Sequence, residues 1–432
     1  MIMRRLSILF AVALLFGCNK EVNTLNSGDG VVDIPIDPLH RFIHFDADIT
    51  SNADDTRGAL VEGTIMQSNF QVLGYQYPGS WSAEQIFAMP NVFDAAPQLV
   101  EYNAADGLFQ YKSRIIDENG VPTNEWDYLP KVWTGNNYSF FAYYPTDHPK
   151  ITLFDDGKVK QGTPYILFDL PISSKPTDLI DVMTASYVDT GVASSSSVAL
   201  KFHHRLSAVD VGARNYYKYN HDQNSTTPDK LVTIEITSLT LSLTNILHTS
   251  AKIYLDERIA TVPNNAATRE SIQYVMVGGA AWAPNTYGVE PNTASDRAIR
   301  LITTQKGENA SSILLIPQTE LLHGTVSLTY RKKFTDDDGT VKYQKINTDQ
   351  GNTYYTWEPL TEDPNGHQFY EFKPTLPVNF SKQLTEGSRY YIELTFTSDA
   401  ISINIIAADE WDSDRNNDGK VDDLDNIYHE FE

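Results

Sequence analysis

The sequence predicts an all-β protein built of sandwich domains, and three observations carry that prediction. Apolar residues recur with a period of two along much of the chain. Turn-forming clusters separate these runs, drawing on 24 Gly and 21 Pro. Aromatic residues make up 11% of the chain, with 24 Tyr and 19 Phe, the mixture that half-buried pleated surfaces favour. At 432 residues there is room for two or three domains of roughly 150 residues, each able to bury a core. Hydrophobic residues at 41% and charged residues at 21% describe a globular chain rather than a disordered one.

The elements follow in order. Arg4 and Arg5 precede a largely apolar run, Leu6–Phe16, too short to span a bilayer and the right length for the core of a signal peptide. The run ends in Leu15-Phe16-Gly17-Cys18, and Cys18 is the chain's one cysteine. An intramolecular disulfide is therefore excluded, as is a cysteine-rich zinc site. This ending resembles the signal of bacterial lipoproteins, in which cleavage before the Cys makes it the acylated first residue. Several acyl chains, at about 0.8 kcal/mol per buried CH2, form a firm membrane anchor. An ordinary secretory signal ending beside a free Cys is the alternative. Residues 1–17 are the expected signal peptide, and 18–40, polar and punctuated by Gly, Pro and Asp, the expected tether. Asn19-Lys20-Glu21 partly resembles the signal that sends lipoproteins to the outer face of the outer membrane.

From about residue 41 the pattern is strand-like, beginning with a short strand at Phe42–Phe45. Ser82–Phe87 and Asp178–Ala185 are the places for short helical turns. Tyr138–Tyr144 is apolar on both faces, with Phe140, Ala142 and Tyr144 pointing one way and Phe141 and Tyr143 the other. That predicts a central strand buried on both sides, its aromatics serving as core rather than as a sugar-stacking platform. Glu118-Asn119-Gly120, Asp155-Asp156-Gly157 and Asp336-Asp337-Asp338-Gly339 each predict a hairpin turn. In Ile234 and Ile236, then Leu239, Leu241 and Leu243, the apolar phase switches near Thr237-Ser238, which predicts a bulge or a strand changing sheets. Val326, Leu328 and Tyr330, and later Ile392, Leu394 and Phe396, alternate with polar residues. The polar stretch His221–Asp229 predicts a boundary near 212–230, dividing the folded chain into sandwiches at 41–212 and 230–411, with an acidic tail at 412–432.

Charge and motifs narrow the function. A net charge of −23 argues against a nucleic-acid partner, whose binders present basic patches. No phosphate-binding glycine loop, Gly-x-Ser-x-Gly elbow or His-Glu-x-x-His motif is present, so no catalytic residues are assigned and the chain is expected not to be an enzyme. His203 and His204 invite a metal reading, but adjacent strand residues face opposite sides and cannot chelate one ion; structural histidines are expected.

Trp133 followed by Tyr138-Ser139-Phe140-Phe141-Ala142-Tyr143-Tyr144-Pro145 resembles a strand motif of the fimbrillin family, the subunits of type V pili. Leu200–Ser207, Leu314-Leu315-Ile316-Pro317-Gln318, and Gly387–Leu394 with Ile401–Trp411 resemble three further motifs of that family, in family order. The resemblance implies two tandem transthyretin-like β-sandwich domains in a surface lipoprotein, with other pilus subunits, or further copies of the chain, as partners. It also implies maturation by a trypsin-like protease that cuts after an Arg and removes the first strand; Arg57 and Gly58, in the polar stretch Asp54–Ala59, are the matching positions. An ordinary exposed arginine is the other reading of Arg57. The tail after Trp411 is acidic and lacks the alternation of a donated strand, which argues against polymerisation and leaves room for a tip, an anchor or a non-polymerising surface lipoprotein.

The C-terminal segment Asp414–Asp425 fits a calcium-loop pattern. Asp414, Asn416 and Asp418 hold positions one, three and five; Gly419 makes the sharp turn; Lys420 offers its carbonyl; Asp422 and Asp425 hold positions nine and twelve. A solvated acidic tail is the alternative. No cofactor is required, with calcium at this loop the one candidate. The leading expectation is a non-enzymatic, surface-exposed outer-membrane lipoprotein acting as a fimbrial subunit in adhesion. The alternative is a monomeric surface module that binds a glycan, a host protein or another bacterial surface ligand.

Overall fold

The computed structural model describes residues 42–49, 68–79, 86–87, 92–117, 119, 121–128, 131–133, 137–153, 160–161, 163–171, 173, 175–188, 197–219, 230–246, 248–263, 270–287, 300–302, 312–359, 371–397 and 400–408. The fold is all-β: among the described residues, apart from one 3-10 turn at Pro176–Asp178, the regular elements are strands. Among the described residues no helix is long and apolar enough to cross a membrane.

A seven-stranded sheet runs in spatial order Phe45–Ile49, Val198–His204, Met183–Tyr187, Asn137–Tyr144, Phe70–Tyr77, Gln98–Asn103 and Leu108–Tyr111. Asn137–Tyr144 lies at its centre, as its two-faced apolar pattern predicts. Phe140 and Ala142 join one core with Phe70, Val72, Met183 and Phe202, while Phe141 and Tyr143 join another with Leu73 and Tyr75. The second core is continuous with the rest of the protein. There, a six-stranded mixed sheet centred on Ser207–Asn215 and Arg389–Phe396 packs its apolar face against a sheet built on Thr233–Ile246 and His323–Thr335. Tyr330 and Phe396 meet edge to face across that interface, with ring centroids 5.3 Å apart.

The phase switch appears as a break in register. Thr233–Ile246 shifts between Ile236 and Ser238 against both neighbouring strands, which keeps Ile234, Ile236, Leu239, Leu241 and Leu243 all fully buried. The Asp336–Gly339 turn joins His323–Thr335 to Val341–Asp349, closed by Asp336 N–H to Thr340 O at 2.8 Å, with Gly339 at φ +84. A second hairpin, Ser113–Ile116 with Pro122–Asp127, brackets Asn119.

Other expectations are corrected. The strands flanking Asp155-Asp156-Gly157 do not pair with each other: Ile151–Leu153 pairs with Tyr165–Asp169, and Lys160–Gln161 with Ile86–Phe87. Ile86–Phe87 is extended, the rest of Ser82–Phe87 lying outside the described residues, and among the described residues Pro176–Asp178 alone turns helically before Met183–Tyr187 enters the sheet. Turn chemistry shows where a chain reverses, not which strands pair. The first strand is Phe45–Ile49, with Phe42 making only a lone bridge to Val132. Sheet pairing also crosses the 212–230 junction. Ser207–Asn215, which mostly precedes it, pairs in parallel with Arg389–Phe396, and Tyr165–Asp169 pairs with Ser250–Tyr254.

Candidate functional site

The first strand is the feature best suited to a function beyond packing. It lies at the edge of the seven-stranded sheet and pairs in parallel with Val198–Phe202, whereas the other pairs of that sheet are antiparallel. Its side chains alternate: Asp46 and Asp48 face water, while Phe45 and Ala47 are buried with Ile43 just before them. The Phe45 ring meets those of Phe70, Phe93, Tyr111 and Phe140 at centroid distances between 5.6 and 6.2 Å. Gly74 makes room for one of these partners, because a Cβ there would lie 2.6 Å from the Phe93 ring.

The strand's N-terminal end is fastened by polar groups. Ile43 N–H donates to Lys131 O (2.8 Å), Lys131 N–H donates to the Tyr111 hydroxyl (2.8 Å), and that hydroxyl donates to Ile43 O (3.0 Å). The Lys131 ammonium pairs with Asp94 at 2.7 Å, and Arg114 N–H donates to the same carboxylate at 2.9 Å. Burial alone would raise the Asp94 pKa; Lys131 and the Arg114 N–H together hold it below the ordinary value. Removing this strand would bare the backbone edge of Val198–His204 and an aromatic slot, the two requirements for accepting another strand.

Arg57, Gly58 and Cys18 lie outside the described residues, as do Asp414, Asn416, Asp418, Lys420, Asp422 and Asp425. Among the described residues no group of three or more His, Cys, Asp or Glu side chains is placed to hold a metal ion. His203 and His204 occupy opposite faces of their strand. His204 is buried with its Nδ1 3.0 Å from an Asp181 oxygen, and half-buried His203 is held below the ordinary imidazole pKa by burial, with Arg205, His204 and Lys201 acting in the same direction. An open cleft of about 320 Å³ lies beside Tyr330, Phe372 and Phe396, and no carboxylate among the described residues lines it.

Sequence reasoning missed a set of buried ion pairs. Arg205, 1% exposed, pairs with Glu386 and also donates to Thr184 Oγ1 and Ile259 O. On the Ser207–Asn215 and Arg389–Phe396 pair, Arg389 meets Asp210 at 2.6 Å and Arg214 meets Glu393 at 2.5 Å. Alternation marks Glu393 as solvent-facing, but it is 1% exposed. No local signal distinguishes a charge that will find a partner strand from one that will face water.

No curated protein matches the chain. Among solved structures, a fimbrial protein from Bacteroides vulgatus is 16% identical, covering 85% of this chain and 98% of its own, with a TM-score of 0.48. A candidate cell adhesion protein from Bacteroides ovatus is 14% identical over 86% of this chain and 98% of its own, with a TM-score of 0.41. The tip fimbrial protein Mfa3 from Porphyromonas gingivalis, in a C-terminally truncated form, is 9% identical over 85% of this chain and 99% of its own, with a TM-score of 0.25. A family model described as fimbrillin-like matches residues 103–409, well over half of the chain. The chain belongs to the fimbrillin-like family.

Proposed function

We propose that this protein is a non-enzymatic cell-surface lipoprotein that serves as a structural or accessory subunit of a fimbrium, at the tip or the anchor, in cell adhesion. In this reading acylated Cys18 holds it to the outer membrane, cleavage between Arg57 and Gly58 frees the first strand, and a strand from another subunit or another copy takes its place. The observation that carries the reading is the seat of Phe45–Ile49: an edge strand whose Phe45 reaches into the middle of an aromatic core. A slot of that depth rewards occupation, since fully burying one Phe contributes roughly 1.5–3 kcal/mol. Membership of the fimbrillin-like family supports other subunits as the partner class. Calcium at Asp414–Asp425 would order the tail without being required for the fold.

Electron microscopy of surface material from cells with and without the protein tests the role; fimbriae unchanged in number, length and attachment would count against it. Limited trypsin treatment tests the maturation, with a first cut expected after Arg57 while the sheets resist. A second reading, a ligand-binding surface module, is favoured by one observation. Trp126 and Tyr128 are 42% and 45% exposed on the Ser113–Asp127 hairpin and its exit, with Arg114 and Lys112 over their rings. Binding of glycans to the purified monomer through these two rings would support it.

A further inference from the structure

We propose that Tyr111 and Lys131 form a clasp that retains the N-terminal end of the first strand after the chain is cut and governs when the strand leaves. This rests on the reading that the strand is the exchangeable element. The clasp is a closed ring of three hydrogen bonds: Ile43 N–H to Lys131 O, Lys131 N–H to the Tyr111 hydroxyl, and that hydroxyl to Ile43 O. Tyr111 is 4% exposed, and burial pushes its hydroxyl well above the ordinary tyrosine range, so it remains a donor. The ring is braced from two sides. Asp94 holds the Lys131 ammonium, and Phe93, the neighbour of Asp94, packs its ring on both Tyr111 (5.2 Å) and Phe45 (6.2 Å).

The placement matters because of direction. The chain leaves the first strand at Ile49 towards Arg57, so cleavage frees that end and leaves the clasped end in place. An edge strand that pairs with a single neighbour is the kind of element that opens locally without global unfolding. A fastening at one end makes the opening directional: an incoming strand displaces residues from Ile49 backwards, and the Ile43 contacts break last. Tyr111 is thus a positioning residue. It stands far from Arg57 along the chain, yet it sets how long the cut chain keeps its first strand.

Amide hydrogen exchange of Phe45–Ile49 in the full, uncut chain tests this directly. In the uncut chain the Ile49 end is not free, and opening of the whole strand must break the clasp. Tyr111→Phe, which removes the hydroxyl and keeps the ring, should therefore accelerate exchange there about tenfold, the loss of roughly one to two net hydrogen bonds. Asp94→Asn, which loosens Lys131 and leaves the core alone, should accelerate it in the same direction by about threefold. Tyr77→Phe is the control: its hydroxyl bonds Ser139 Oγ at 2.6 Å in the same sheet, away from the first strand. That variant should leave exchange at Phe45–Ile49 unchanged. No acceleration in the Tyr111 and Asp94 variants, or equal acceleration in the Tyr77 control, overturns the clasp. Failure of any protease to cut after Arg57 would instead sink the maturation reading, while the exchange rates still decide the clasp.

Discussion

Among the described residues, Arg205 is the largest side chain to be fully buried. Burial lowers the Arg205 pKa and raises that of Glu386, and each charge offsets part of the other's desolvation, with Glu257 and Asp256 also favouring the cation. Glu386 also accepts Thr261 N–H at 2.9 Å. Glu386→Ala strands a buried cation and should cost about 2–3 kcal/mol; this is below the usual ~3–5 for a broken buried pair because Glu386 keeps some contact with water. Urea unfolding reads it as a lower midpoint at unchanged slope, and an unchanged midpoint would refute it. Asp94 behaves oppositely with pH. Its folded pKa lies below the ordinary 3.8, so its contribution is complete above that value and is lost only as pH falls through the lower folded one. Acidification to pH ~5 should therefore leave the first strand's exchange rates, corrected for the intrinsic pH dependence of exchange, as they are. Cys18→Ala should move the protein out of the membrane fraction, since in the proposed reading the acyl chains on Cys18 are what hold it there. Retention of the variant in that fraction would remove the lipid anchor.

At the scale of elements, what can be read from sequence is what is local. The phase slip in Ile234–Leu243 needs only period-two geometry, and the structure places the register break at Ile236 and Ser238. Asp336–Gly339 forms its hairpin because a left-handed backbone is needed at one position only, Gly339, whose φ is +84. The parallel partner of the first strand has no local signature, since Val198–Phe202 is far away along the chain. The three-bond clasp shares this problem: Ile43, Tyr111 and Lys131 come from three separate stretches of the chain. The C-terminal segment stands at the other extreme, a local pattern whose residues lie outside the described ones. Four acids, Asp414, Asp418, Asp422 and Asp425, repel one another without a cation. A lone loop with a short Asp at position twelve should bind calcium at ~10⁻⁴–10⁻³ M, with magnesium a poor substitute. Calorimetry should show that heat in the full chain and lose it with Asp414→Ala. No heat at calcium several times ~10⁻³ M would leave a solubilising acidic tail.

The whole molecule is held together by pairings that ignore the polar stretch at 212–230. Ser207–Asn215 pairs with Arg389–Phe396 on one side and with Ile313–Leu315 and Arg300–Leu301 on the other, so it is a central strand of a sheet otherwise made of later residues. Its Val209 and Val211 are at most 1% exposed. Burying those two side chains alone contributes about 3–6 kcal/mol, against a typical total stability of ~5–15 kcal/mol. Its Asp210 neutralises buried Arg389, and its Arg214 neutralises buried Glu393. Residues 230–411 expressed alone would lose all of this, and with it the pairing of Ser250–Tyr254 to Tyr165–Asp169. They would keep Glu393 and Arg389 without these counter-charges and expose an apolar slot between two strands. That fragment should therefore show no cooperative unfolding transition and should aggregate, while the full chain melts cooperatively. A sigmoidal urea curve from soluble 230–411 would show instead that the later sheets close without the earlier strands. Loops between sheets and loops between domains share one composition, so the polar stretch His221–Asp229 carries no trace of the long-range pairing that ties Ser207–Asn215 to later strands.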